Sequence, residues 1–206
     1  MLIPAVESGL ESLLRATLPL SAEQGDISFD APSSTWSAQV NRLTVNLFLY
    51  GVTRSSQPPR SVASRTTADG TVQARYPLPM VQLAYLVSAW AGSTRDEHEL
   101  LGDVLTRFLA HQVIPAEHMS TELSSNVQLA LADDSVNRPR EIWSGLGGTL
   151  RGSFTLLVTV AADAYDWRTM APPATEVVGS ANPLRPKKDD PTTVPARAAG
   201  PRPSAR

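Results

Sequence analysis

The sequence predicts an α+β fold: a single domain with a central mixed sheet and packed helices, followed by a disordered C-terminal tail. Between Pro79 and Leu109 a two-residue hydrophobic period gives way to a helical period, so a strand, a turn and a helix follow one another. Along residues 1–168 the predicted order is helix, strands, helix, strand, helix and strand. That order favours one α+β or mixed α/β domain over residues 1–168.

The N-terminal third contains three predicted elements. Apolar residues recur at helical spacing over residues 2–18, and Pro19 ends that helix. A short strand is predicted at residues 26–29, and a turn rich in proline and serine follows at residues 31–35. Residues 43–52, with the sequence LTVNLFLYGV, form the next strong strand.

Residues 53–78 are polar and irregular, which predicts a long loop. Such loops are uncommon inside compact domains and are usually functional or disordered. This one carries four arginines and a single acidic residue, Asp69. The candidate partner-binding arginines are Arg54, Arg60, Arg65 and Arg75. They could steer an acidic partner surface, although a solvated mobile loop is an equal alternative.

The strand–turn–helix unit follows this loop. Ala91 and Gly92 turn the chain, and Thr94 precedes Glu97 by three residues, which predicts a capping box at the helix start. The expected apolar stripe of the helix is Leu101, Leu105 and Phe108, with Leu100, Val104 and Leu109 beside it. We expect Tyr85, Trp90 and His98 to be packing residues, since aromatic side chains on a central strand usually pack in the core.

The last predicted elements are a strand at residues 127–131, a short helix at residues 139–146 and a strand at residues 153–162. From Ala171 onward the composition changes, with eight of the 17 prolines and no aromatic residue. Such a segment buries too little apolar area to offset its ordering entropy. Residues 169–206 are therefore predicted to be a disordered tail.

No catalytic set is recognisable. The chain has no cysteine, which excludes disulfides and thiolate chemistry and favours a cytoplasmic protein. His98 and Glu99 begin a zinc-protease pattern, but Gly102 stands where the second histidine would be. Asp133 and Asp134 are adjacent carboxylates in a predicted loop, and we expect both to be solvated. We therefore predict a protein that is not an enzyme, with no catalytic, cofactor-binding or metal-binding residues.

Charge and hydropathy exclude two further classes of partner. A formal net charge of −2 without a dense basic face argues against nucleic-acid binding. No run of about eighteen apolar residues is present, so direct membrane insertion is not expected.

Three segments closely resemble a known family. They are residues 49–52 (LYGV), residues 83–92 (LAYLVSAWAG) and residues 97–102 (EHELLG). They resemble the tail-terminator or cap proteins of phage-tail-like contractile injection systems, of the virulence-cassette and antifeeding-prophage type. The resemblance covers about residues 1–165, and residues 53–56 (TRSS) depart from the charged or Glu-Asn-containing segment common in that family. Its motif residues in this chain are Tyr50, Tyr85, Trp90, Gly92, His98 and Leu101.

The resemblance implies a structural protein that forms a ring, expected to be a homohexamer. Such a cap sits on the last ring of inner tube and sheath, ends tube growth and anchors the distal sheath. Its particle would be assembled in the cytoplasm and could be released. Two alternatives stay open: a neck or connector component of a phage tail, and a small enzyme with a pocket under the 53–78 loop.

Overall fold

The computed structural model describes residues 1–21, 23–133 and 139–171. Most of the predicted tail, residues 172–206, lies outside the described residues, as does Asp134. The helices are α1 (Leu2–Thr17), α2 (Ser34–Ser37), α3 (Thr94–Ala110) and α4 (Pro139–Gly145), with a 3₁₀ turn at Ala116–His118. The strands are β1 (Gly25–Ser28), β2 (Leu43–Arg54), β3 (Ala63–Thr66), β4 (Val72–Arg75), β5 (Met80–Trp90), β6 (Gln128–Leu131), β7 (Ser153–Ala161) and β8 (Arg168–Thr169).

Within the described residues the main sheet has five strands, in the order β1-β2-β5-β7-β6. Strand β1 runs parallel to β2, and the other neighbours are antiparallel. The sheet is therefore mixed, and with its helices it confirms the predicted α+β class. Strand β5 is its centre and is largely buried, which explains why both of its faces are apolar in the sequence.

One face of the main sheet is covered by α1 and α3. Their apolar stripes pack against every second residue of the strands, because side chains in a strand alternate between its two faces. The largest buried group includes Val6, Leu10, Leu13, Leu14, Val45, Leu47, Leu83, Tyr85, Val87, Val104, Phe108, Leu156, Val158 and Val160. Burial of these aliphatic and aromatic side chains is the main source of the fold's stability.

The opposite face carries a smaller aromatic core. Leu86, Trp90 and Trp143 are buried there, and α2 and α4 supply the covering side chains. Helix α2 begins within the predicted turn at residues 31–35, and its N-cap is Ser33, whose hydroxyl accepts a hydrogen bond from the Trp36 amide at 3.2 Å.

The expectation of a long loop at residues 53–78 was wrong. Strands β3 and β4 form a hairpin there, and β8 adds to β4 to complete a second, three-stranded sheet. The turn is built by Gly70, whose φ is +82°, and by the Asp69 carboxylate, which accepts hydrogen bonds from Thr67 and Thr71. Its strands have only four residues each and are mostly polar, so no hydrophobic period reveals them.

Two details of α3 also differ from expectation. Its N-cap is Ser93 rather than Thr94, since the Ser93 hydroxyl accepts a hydrogen bond from the Asp96 amide at 3.2 Å. The fully buried positions of α3 are Val104 and Phe108, whereas Leu109 is 62% exposed. The helix packs on the sheet through a narrow stripe, so its flanking leucines stay partly in solvent.

Candidate partner-binding surfaces

The aromatic core around Trp90 holds the strand–turn–helix unit in place. Trp90 is 5% exposed, and its ring centre lies 5.2 Å from that of Trp36 and 6.2 Å from that of Trp143. Its indole nitrogen donates a hydrogen bond to the Ser88 hydroxyl at 3.1 Å, so the polar atom is satisfied inside the core. These contacts place Trp90 in the fold's interior rather than on a surface that a partner could reach.

Arg151 closes this aromatic core on its solvent side. Its guanidinium carbon lies 4.2 Å from the centre of the Trp90 ring, and the same group pairs with the Glu97 carboxylate. The Glu97 side chain is 16% exposed and that of Arg151 is 35% exposed, so the carboxylate is better shielded from water than the cation. Glu97 therefore links α3 to the segment before β7 and is not the capping residue that the sequence suggested.

Tyr85 is fully buried on β5, with its ring edge-on to Phe29 at 6.4 Å. Its hydroxyl has no hydrogen-bond partner of good geometry among the described residues. Burial, and then the negative charge of the Glu7 carboxylate, raise the pKa of this hydroxyl far above its usual value. Burial likewise raises the pKa of Glu7.

Tyr50 lies next to an irregularity in β2, where the pairing with β5 shifts between Leu49 and Gly51. Its ring packs against the aromatic core, and its hydroxyl shares a hydrogen bond with the Thr155 hydroxyl at 3.2 Å. Tyr50 therefore joins β2 to β7 across the intervening strand.

The other three motif residues do not lie in the core. His98 is exposed, which overturns the expectation that it anchors the core, and Leu101 is half-buried. Gly92 is exposed with open space around it, and its φ is not positive, so the turn does not require glycine. The helical period alone could not reveal that His98 is exposed, since His98 lies one turn before Leu101 on the predicted stripe.

The structure divides the four candidate arginines into two kinds. The guanidinium carbons of Arg65 and Arg75 lie 4.4 and 4.6 Å from the centre of the Trp167 ring. Arg75 also pairs with Asp163 at 2.9 Å. Arg54 and Arg60 are exposed, and within the described ranges their side chains have no polar or aromatic partner.

Sequence reasoning missed the aromatic side chains around the second sheet. Tyr76 and Tyr165 meet edge-on at 5.7 Å, and the Arg168 guanidinium lies 4.9 Å from the Tyr76 ring centre. Both tyrosines and Met170 are about half-exposed. The only available signal was Tyr165 and Trp167 standing close together just before the composition changes.

The main sheet has an open edge along β2. Strand β1 pairs only with Leu43–Asn46, so in the described part of the chain no strand lies against Leu47–Arg54 on that side. The end of this segment is exposed, and Val52 is 56% exposed. Unpaired N–H and C=O groups on such an edge can accept a strand from another chain.

Two further features of the described residues concern metal ligands and membrane-spanning helices. Among them no three His, Asp or Glu side chains cluster as metal ligands would. The described helices are also too short or too polar to span a bilayer.

Comparison with known proteins identifies the family. The family model of the Pvc16 N-terminal domain matches residues 5–176. The chain belongs to the Pvc16 N-terminal domain family. This membership confirms the resemblance found in residues 49–52, 83–92 and 97–102. Comparison with curated protein sequences gives no significant match.

Two solved structures share the fold of this Pvc16 N-terminal domain. One is the sheath/tube terminator of PVC, an extracellular contractile injection system, in the extended state, with a TM-score of 0.66 and 19% identity over 91% of this chain. The other is the tube-terminating cap of the anti-feeding prophage, with a TM-score of 0.62 and 18% identity over 87% of this chain. The match spans 66% and 62% of those two chains, which is less than two thirds of their length.

Proposed function

We propose that this protein is a structural cap of a contractile injection system, which ends the growth of inner tube and sheath and anchors the distal sheath. The observation that carries this proposal is the family match over residues 5–176. The shared fold with a sheath/tube terminator and a tube-terminating cap supports it. The motif aromatics Tyr85 and Trp90 are used for packing, as a structural protein would use them.

The cap is proposed to act as a ring, most simply a homohexamer. A plug that ends a tube must match the rotational symmetry of the last tube ring, and closed rings form through heterologous contacts between identical subunits. Its partners would be the inner-tube and sheath proteins of the same particle. The phage-tail-like particle that contains this protein would be assembled in the cytoplasm.

The open edge of β2, Leu47–Arg54, is the proposed contact with the sheath. In such particles sheath subunits are expected to link through extended arms that add strands to a neighbour's sheet. The last ring would leave its arms without a neighbour, and an open edge on the cap could pair with them. Main-chain hydrogen bonds would supply the affinity without demanding a particular sequence.

The direct test compares particles assembled with and without this chain by negative-stain electron microscopy. With the chain, sheath and tube should end together at a uniform length behind a cap density. Without it, lengths should become irregular and the cap density should disappear. Intact particles whose cap density contains no copy of this chain would refute the proposal.

A further inference from the structure

An open cleft lies where the segment before β3 passes strand β4. Its volume is about 580 Å³, within the range of about 300–1,000 Å³ that is typical of sites for small groups. The lining combines cationic, hydroxyl and apolar side chains, namely Arg60, Arg75, Ser61, Ser124, Pro59 and Leu78.

Arg75 forms a fixed cationic wall of this cleft. One of its terminal nitrogens binds the Asp163 carboxylate at 2.9 Å, the other donates to the Ser124 hydroxyl at 3.0 Å, and the Trp167 ring lies against the guanidinium. Its side chain is only 14% exposed. Its Nε is also buried and has no acceptor among the described residues. These contacts hold the guanidinium of Arg75 in place as a rigid part of the cleft wall.

Arg60 supplies the exposed charge of the cleft. Its backbone amide donates to the Leu78 carbonyl at 2.9 Å, which fixes the main chain beside the cleft. Its side chain is exposed and has no acidic partner in the part of the chain that the structure describes. Asp163 is already bound by Arg75 and Ser124. The charge of Arg60 is therefore available to an anion from outside.

We propose that this cleft binds a carboxylate side chain in an acidic segment of a partner protein. A guanidinium recognises a carboxylate through two parallel hydrogen bonds, and the apolar wall of Pro59 and Leu78 suits the methylene groups of such a segment. Nucleic acid is a poor alternative because the net charge of −2 would repel it. The inference rests on the proposed cap function, for which it defines the chemistry of one partner contact.

The experiment measures binding of a fluorescein-labelled hexaglutamate peptide to the full chain by fluorescence anisotropy, with a hexaglutamine peptide as the matched probe. Arg60→Gln should weaken binding about tenfold, because it removes a charge-assisted hydrogen bond. Arg60→Lys should restore part of the affinity as a point charge. The control is Arg95→Gln, which removes the same charge from an exposed arginine outside the cleft and should leave binding unchanged within about twofold.

Four results would overturn the proposal. Equal weakening by Arg60→Gln and Arg95→Gln would show that the effect is general electrostatic attraction. Equal binding of the hexaglutamine peptide would remove the role of the carboxylate. Displacement by inorganic phosphate as effective as that by the peptide would make the cleft a small-anion site. If the wild-type chain caps particles but binds no hexaglutamate, the cleft proposal fails and the cap function stands; cap density without this chain refutes the cap function whatever the peptide result.

Discussion

The guanidinium of Arg151 covers the indole of Trp90, with 4.2 Å between its central carbon and the ring centre. Arg151 precedes β7, Trp90 ends β5, and the pairing of Arg151 with Glu97 adds the first turns of α3. One cation thus joins three elements that are separate in sequence. Two of the family's motif segments, residues 83–92 and 97–102, meet at this cluster.

Truncation of Trp90 should strongly destabilise the fold. Trp90→Ala is expected to lower the free energy of unfolding by about 3–5 kcal/mol, as large aromatic truncations in cores do. Chemical denaturation measures the loss, and Tyr76→Ala is the control because Tyr76 is 54% exposed. A Trp90→Ala variant that melts normally yet fails to cap particles would make Trp90 a contact residue.

Substitution of Arg151 should destabilise the fold through the same cluster around Trp90. Arg151→Gln removes the contact with Trp90 and leaves Glu97 shielded without its partner, so we expect a loss of about 1–2 kcal/mol. Arg95→Gln is the matched control, since its pair with Glu99 is 86% and 66% exposed and should contribute at most about 0.5 kcal/mol. Equal losses in the two variants in urea denaturation would contradict the structural role of Arg151.

The buried hydroxyl of Tyr85 should be dispensable at neutral pH. Tyr85→Phe keeps the ring packing, so its stability should lie within about 1 kcal/mol of wild type. Tyr50→Phe is the contrasting variant and should be destabilised by about 0.5–1.5 kcal/mol, because it loses the hydrogen bond to Thr155. A large loss in Tyr85→Phe at neutral pH would show that the hydroxyl has a stabilising partner.

Tyr85 should also make the stability of the fold depend on pH in the alkaline range. The pKa of Tyr85 is raised in the folded state, so above about pH 10 the unfolded chain releases this proton while the folded chain retains it. The unfolded state then binds fewer protons, and the free energy of unfolding falls as pH rises. Wild type should therefore lose stability more steeply than Tyr85→Phe above that pH in denaturation at a series of pH values. Parallel curves would contradict the raised pKa.

The open edge of β2 should be sensitive to added charge. Val52→Lys places a cation where the proposed sheath strand would pair, and lysine is a residue that blocks edge pairing. We expect little change in melting, since Val52 is 56% exposed, but weaker capping and irregular sheath lengths by negative-stain microscopy. The control is Val72→Lys, a 45% exposed position on β4, which has a strand on each side. Normal capping by Val52→Lys would remove this edge from the proposed contact.

The sequence by itself determined the elements whose hydrophobic side chains are buried. Helix α1 and strands β2, β5 and β7 were predictable because their apolar residues recur with the period of the element that buries them. The motif segments at residues 49–52, 83–92 and 97–102 were also sufficient to indicate the family. Both signals are local, so they can be read from neighbouring residues.

Only the tertiary structure decided which charged and polar side chains meet. The hairpin of β3 and β4 has no hydrophobic period, and its stacking on Trp167 joins residues that are far apart in sequence. The exposure of His98, the pairing of Glu97 with Arg151 and the division of the four arginines depend in the same way on distant segments. Local periodicity fixes which face of an element is apolar, but it does not specify which distant segment covers that face or its edge. Those contacts are set by packing of the whole chain.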